Sequence, residues 1–237
     1  RILGKVQLPD LVDCSKSRIV YGCFSNKRRN EITDACFLQF VSKNSPRFES
    51  VEEASAETLL IKGFVSRDYK DVGPDFHKLL WGMCGDNNIS VNGNTKIDPC
   101  LKLIRGSPLM INSNTEKARK LCKGTTGYFV GVRWKEGCIP HIENYNGHKV
   151  FAANISDLEC LIMKLDYTNQ IVEVRPEQFS VDMKLPGSAS LIKGFKMTQF
   201  AVNMSLATTG HKLQGMTIDL LIMSEILLMP NWLYVIL

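Results

Sequence analysis

None of the eight cysteines is spaced as a C-x-x-C pair, so no zinc-finger signature is present. No basic-then-apolar leader opens the sequence, and 237 residues can bury a core without disulfide staples. We therefore expect reduced, intracellular cysteines, with Cys23 and Cys36 acting as small buried hydrophobes. The N-x-S triplets at Asn88, Asn154 and Asn203 then read as chance matches rather than glycosylation sites. No G-x-x-x-x-G-K-[ST] run occurs, so the sequence has no loop of the kind that cradles nucleotide phosphates. His141 and His148 have no Cys or carboxylate at a persuasive ligand spacing, and no metal site is expected. The one long apolar stretch, 218–237, is broken by Asp219, Glu225, Pro230 and Asn231. It reads as two buried strands and a connection rather than a membrane span.

What is present is ordinary globular material. Apolar residues make up 44% and charged residues 22%, with 29 Lys+Arg against 24 Asp+Glu, a net charge of +5. The first residue is Arg1, which leads us to expect that a natural start lies upstream. Residues 18–24 (RIVYGCF) form a short apolar run of strand type. Ser25 or Asn26 can cap the helix that follows, in which Ile32, Ala35, Cys36 and Gln39 share a face. This strand-turn-helix unit puts Asn26, Lys27, Arg28 and Arg29 at the carboxyl end of a strand, where α/β sheets bind ligands. The same residues also fit a solvated helix start.

Ser50, three residues before Glu53, has capping-box spacing and opens a short acidic helix. Residues 67–98 read as irregular and rich in turns, with one helix over 76–84 that points Trp81 inward. From 101 to 181, short β-rich runs alternate with glycine turns: 109–111, 127–134, 149–153, 161–165 and 171–174. Short strands at this spacing suggest a small barrel. A strand-like run at 199–207 (QFAVNMSLA) follows, then Thr208-Thr209-Gly210-His211-Lys212-Leu213-Gln214-Gly215. The expected architecture is α/β, interrupted by a β-barrel insertion.

Three stretches together carry a resemblance. They are 103–127 (LIRGSPLMINSNTEKARKLCKGTTG), 200–219 (FAVNMSLATTGHKLQGMTID) and the terminal Leu233-Tyr234-Val235 with Leu237. In this order they resemble the carboxyl-terminal half of PIF-type DNA helicases, the RecD-like branch of superfamily one. The resemblance implies a second RecA-like core domain interrupted by a small Src-homology-three-like barrel. It assigns 1–100 to the first part of the core, 101–195 to the barrel and 196–237 to the return into the core. One departure is Leu213, which stands where the family has a serine.

The resemblance also implies partners. These are single-stranded DNA and an amino-terminal core domain that would bring ATP and magnesium, with none bound by this chain alone. The expected nucleic-acid contacts are Thr208, Thr209, Gly210, His211, Lys212, Asn26, Lys27 and Lys123. Gln214 and Gly215 would sense nucleotide across the domain cleft. Lys117, Arg119 and Lys120 join Lys123 as a basic cluster that fits either a phosphate backbone or a solvated loop. Trp81, Trp134 and Trp232 fit the core better than stacking platforms. No catalytic residue is expected, and the nucleus or the mitochondrion is the expected location. The alternative is an ATPase-dead, single-strand-binding relic of a mobile-element helicase.

Overall fold

The computed structural model describes residues 19–23, 25–44, 57–67, 70–82, 89–91, 97–114, 121–184, 191–209, 213 and 220–223. It is a strand-rich, mixed α/β structure with four sheets. The expected helices at 50–53 and the terminal strand after 223 lie outside the described residues.

The first unit is β1 (Ile19–Cys23) followed by α1 (Asn26–Asn44). Of the two capping residues the sequence offered, Ser25 does the work: the Arg28 amide donates to its Oγ at 3.1 Å. The Arg29 amide donates to the Ser25 carbonyl at 3.1 Å. The buried stripe of α1 is Ile32, Cys36, Phe37 and Val41. The predicted face needs correction, because Ala35 is exposed and Gln39 only half-buried. The reason is that α1 packs on four strands from two sheets, which turns the apolar stripe toward Phe37 and Val41.

Beside β1 lie β16 (Ala207–Thr209) and β17 (Leu220–Met223), both parallel to it, in the order β16-β1-β17. A second sheet has the order β6-β2-β10-β9, from β2 (Thr58–Lys62), β6 (Cys100–Ile104), β9 (His141–Tyr145) and β10 (His148–Asn154). Only its β2–β10 pair is parallel. Every side chain of β6 is buried, as expected of a strand covered on both faces.

The third sheet is antiparallel throughout. Its order is β12-β11-β8-β7-β15, from β7 (Pro108–Ile111), β8 (Thr126–Trp134), β11 (Leu158–Leu165), β12 (Ile171–Val174) and β15 (Val202–Met204). The fourth has the order β4-β3-β14-β13-β5, from β3 (Phe64–Arg67), β4 (Lys70–Asp71), β5 (Ile89–Val91), β13 (Pro176–Lys184) and β14 (Leu191–Phe200). The helix α2 (Pro74–Gly82) packs on this fourth sheet, with Trp81 donating its indole N–H to the Gly63 carbonyl at 3.1 Å. The stretch expected to be irregular therefore also holds the short strands β4 and β5.

The predicted single strand at 199–207 is instead three strands. The chain leaves the fourth sheet at Phe200, adds β15 to the third, and enters the parallel sheet as β16. Backbone bonds fix both bends: Asn112 N–H donates to the Ala201 carbonyl at 2.8 Å, and Ser205 N–H to the Pro108 carbonyl at 2.8 Å. Strand pairing also joins residues on either side of 100/101 and of 195/196, through β2–β10 and β7–β15.

One large core runs through the first three sheets and α1, and a smaller one, with Val65, Phe179 and Phe195, lies in the fourth. Buried Lys102 ties α1 to β6, with its Nζ 2.6 Å from Asp34 and 3.9 Å from Asp98. Burial pushes the Asp34 carboxyl above its ordinary value, and Lys102 partly opposes this. Burial also pushes the Tyr145 phenol upward beside the same lysine.

Candidate nucleic-acid interface

The parallel register fixes where the predicted loops emerge. Gly22 pairs with Thr208 and Cys23 with Thr209. Parallel strands end on the same side, so the turn after β1 and the segment after β16 leave one sheet edge together. This is the carboxyl edge, where α/β sheets place ligands. Ser25 starts α1 there, aiming the helix's first amides and its positive dipole end toward the same edge.

A shallow pocket lies behind this edge. Its polar wall comes from four elements: Arg29 of α1, Asn112 after β7, Asn203 of β15, and Ser205 and Thr208 around β16. Thr208 is buried at 4% exposure, while Thr209 is half-buried. Arg29 donates to the Asn30 side chain through Nε at 3.1 Å and a terminal nitrogen at 2.8 Å. Burial holds its guanidinium below the usual arginine value, partly offset by Asp98 and then Cys23.

Lys123 sits close by in sequence and structure. Its amide donates to the Asn114 side chain at 2.8 Å, and the Gly124 amide to the Ile111 carbonyl at 2.8 Å. Gly124 has φ +93°, so this turn favours glycine. The turn therefore grips the end of β7, one residue from Asn112, and leaves the Lys123 side chain exposed.

The predicted residues fall into three groups. Thr208, Thr209 and the backbone of Asn26 and Lys27 meet at the carboxyl edge, with Lys123 on the adjoining turn. Gly210, His211, Lys212, Gln214 and Gly215 lie outside the described residues, as do Lys117, Arg119, Lys120 and Trp232. Leu213, the departure from the family pattern, is buried at 5% exposure. Trp134 is half-buried against the large core. Trp81 is covered by the His77 ring at 5.4 Å and the Lys62 ammonium at 4.4 Å.

Asn112, Asn203 and Ser205 are the pocket residues that sequence reasoning missed; Asn112 shows why. It lies in a polar stretch, INSN, with nothing to distinguish it from its neighbours. Arg29 was visible, as the last of three basic residues at a strand end. Among the described residues, no helix is long and apolar enough to cross a membrane.

The chain is similar to several solved structures of helicases. Against unliganded Pif1 from Bacteroides sp the TM-score is 0.43 at 13% identity, covering 90% of this chain and 48% of that one. Against the Bacteroides Pif1 helicase in complex with ADP-AlF3 and single-stranded DNA it is 0.47 at 16% identity, covering 95% and 41%. Against the Candida albicans Pif1 helicase it is 0.47 at 13% identity, covering 98% and 50%. The chain thus spans half or less of the length of these three structures. No family model matches the sequence. No curated protein matches it either.

Proposed function

We propose that the chain is the carboxyl-terminal part of an ATP-dependent DNA helicase of the PIF type. In this reading it supplies single-stranded DNA contacts and one wall of an ATP cleft. The observation that carries it is the register of β1 with β16. Two segments singled out in the sequence, separated by most of the chain, leave the same strand edge. The parallel sheet with α1 then corresponds to the second RecA-like core domain. The antiparallel sheet containing β7, β8, β11 and β12 corresponds to the inserted Src-homology-three-like barrel.

The chemistry follows from what such an edge offers. A motor that moves along DNA must hold the sugar-phosphate chain without reading bases. Thr209 and the Gly210 amide are donors, and Lys212 adds charge. Gly210 and Gly215 let the backbone come close to the strand. Asn26 and Lys27, at the start of α1, would meet the next phosphate, and Lys123 a more distant one. Gln214 would sense nucleotide held by the amino-terminal core domain, which would also bring ATP and magnesium. Leu213 in place of a hydroxyl removes one phosphate donor, and its side chain is buried instead.

The test is a binding titration with fluorescent single-stranded oligonucleotides of mixed sequence, repeated at several salt concentrations. The 237-residue chain is expected to bind them with a steep salt dependence and to hydrolyse no ATP. Lys212→Ala should weaken binding about equally for all sequences and lower the salt slope by about 1. Absence of single-strand binding, or an unchanged slope in Lys212→Ala, would count against this reading.

A further inference from the structure

The edge strand β9 lacks the devices that normally keep a sheet edge closed to other chains. It stands at the outside of the second sheet, with β10 as its one strand partner among the described residues. Its five residues pair with β10 in unbroken register, so no bulge twists the edge away. The Asn146-Gly147 turn, with φ +49° and +83°, closes this hairpin tightly. Alternate side chains divide between two faces. His141, Glu143 and Tyr145 share the one anchored within the chain. Glu143 pairs with Lys62, His141 lies 3.5 Å from Glu143, and the Tyr145 ring meets Phe37 edge-on at 6.4 Å. The strand's carboxylate is thus engaged internally and does not guard the edge. Ile142 and Asn144 take the other face, beside their partners Phe151 and Lys149. Ile142 is 57% exposed, and Ile139, just before the strand, 73%. The edge strand β12 differs, since its Glu173 forms a 2.6 Å ion pair with half-exposed Arg133.

A row of backbone groups without a strand partner, beside exposed isoleucines, is a template for one more strand. Charge selects its kind. On the outer face the charge next to the edge is Lys149, which is exposed and in no ion pair among the described residues. Lys135 and Glu136, both exposed before Ile139, offset one another. We propose that β9 is a docking edge for an extended peptide of a partner protein. The peptide would carry an apolar side chain beside Ile142 and an acidic one two positions along. Strands lie about 4.8 Å apart, so the long Lys149 side chain can reach across β9 to that acid. Backbone hydrogen bonds along β9 would supply affinity, and the Ile142–Phe151 ledge and Lys149 would fix the register. This inference goes beyond the helicase reading and does not rest on it.

Fluorescence-anisotropy titration of the 237-residue chain tests it. The probe is a short labelled peptide in which threonine alternates with valine and glutamate in turn. Saturable binding is expected. The same peptide, N-methylated at alternate backbone amides, keeps its side chains but cannot pair as a strand, and should bind about tenfold more weakly. A version with lysine in place of glutamate should bind several-fold more weakly. Ile142→Asp sets a carboxylate against the acidic peptide and should weaken binding about tenfold, with the circular dichroism spectrum intact because the side chain is exposed. No saturable binding to the unmodified chain, or equal affinity for the methylated or the lysine peptide, overturns the proposal. Sedimentation of the chain alone supplies a further arm. A dimer that Ile142→Asp dissolves assigns the edge to a second copy and overturns the peptide reading, whereas a monomer leaves the edge open to it. Single-strand binding without peptide binding removes this proposal alone. Peptide binding without single-strand binding removes the helicase reading alone.

Discussion

The antiparallel sheet and the parallel sheet of this molecule solve the same packing problem from opposite kinds of sequence. In the antiparallel one, β7 pairs with β8 and β11 with β12, each the next strand along the chain. Its β11–β12 turn is short, its strands reach nine residues, and only β15 joins it from far along the chain. In the parallel one, β1 pairs with strands near the other end of the chain, and its members run only three to five residues. Local pairing makes a sheet that largely stabilises itself. Distant pairing makes one that depends on α1 and the shared core for support. The candidate interface sits on the dependent sheet, with the antiparallel one providing Asn112, Asn203 and the Lys123 turn.

Substitutions can sharpen that contrast. The largest effect is expected at the junction. Lys102→Met leaves half-buried Asp34 without its partner, and should cost about 3 kcal/mol in urea denaturation. Because Lys102 ties α1 to β6, the parallel sheet should lose order first, seen as faster amide exchange in β1 than in β8. Equal exchange in both would dissolve the distinction. Next comes Gly127→Ala, within the antiparallel sheet. An added Cβ would meet the Lys164 carbonyl oxygen across the β8–β11 pair, a backbone atom that cannot swing aside. A loss of about 1–3 kcal/mol is expected, with exchange rising in β11.

Ser25→Ala should be milder, about 1 kcal/mol, and confined to α1 and β1. A thermal melt that left α1 unchanged would show that tertiary packing alone sets its start. The smallest effect lies in the fourth sheet, at Asp71. The Gly73 amide, and then His77 at 2.8 Å, hold its carboxyl below the ordinary aspartate value of 3.8. Its contribution is therefore present above 3.8 and fades as pH falls through the lowered folded value. Asp71→Asn should flatten the acid limb of the stability profile, its small loss falling at neutral pH and vanishing at the acid end.

The sequence was most legible where partners are neighbours. The strands at 127–134 and 171–174 were read almost to the residue, because alternation and glycine turns are local signals. The run at 199–207 was not legible, since a mostly apolar stretch says that residues are buried but not in which sheet. The face of α1 was misjudged at Ala35 for a related reason: four supporting strands set the buried stripe, and three of them, β6, β10 and β16, are encoded far away. At the candidate interface, a basic run at a strand end made Arg29 visible. Asn112 became recognisable only once the fold brought it beside that arginine.

The pairing of Tyr21 with both Ala207 and Ile222 also dictates an order of events during synthesis. Within the described residues, β1 is made well before either of its partners. The β11–β12 hairpin can close within moments of emerging, but β1 must wait until residues 207–223 have been made. Closing so long a loop costs entropy that the three-residue strand β16 cannot recover alone. The parallel sheet should therefore form late, on a core already assembled from the middle of the chain. Ribosome-bound chains halted before residue 207 would then hold β1 as an unpaired apolar strand, the form most exposed to chaperones and to aggregation.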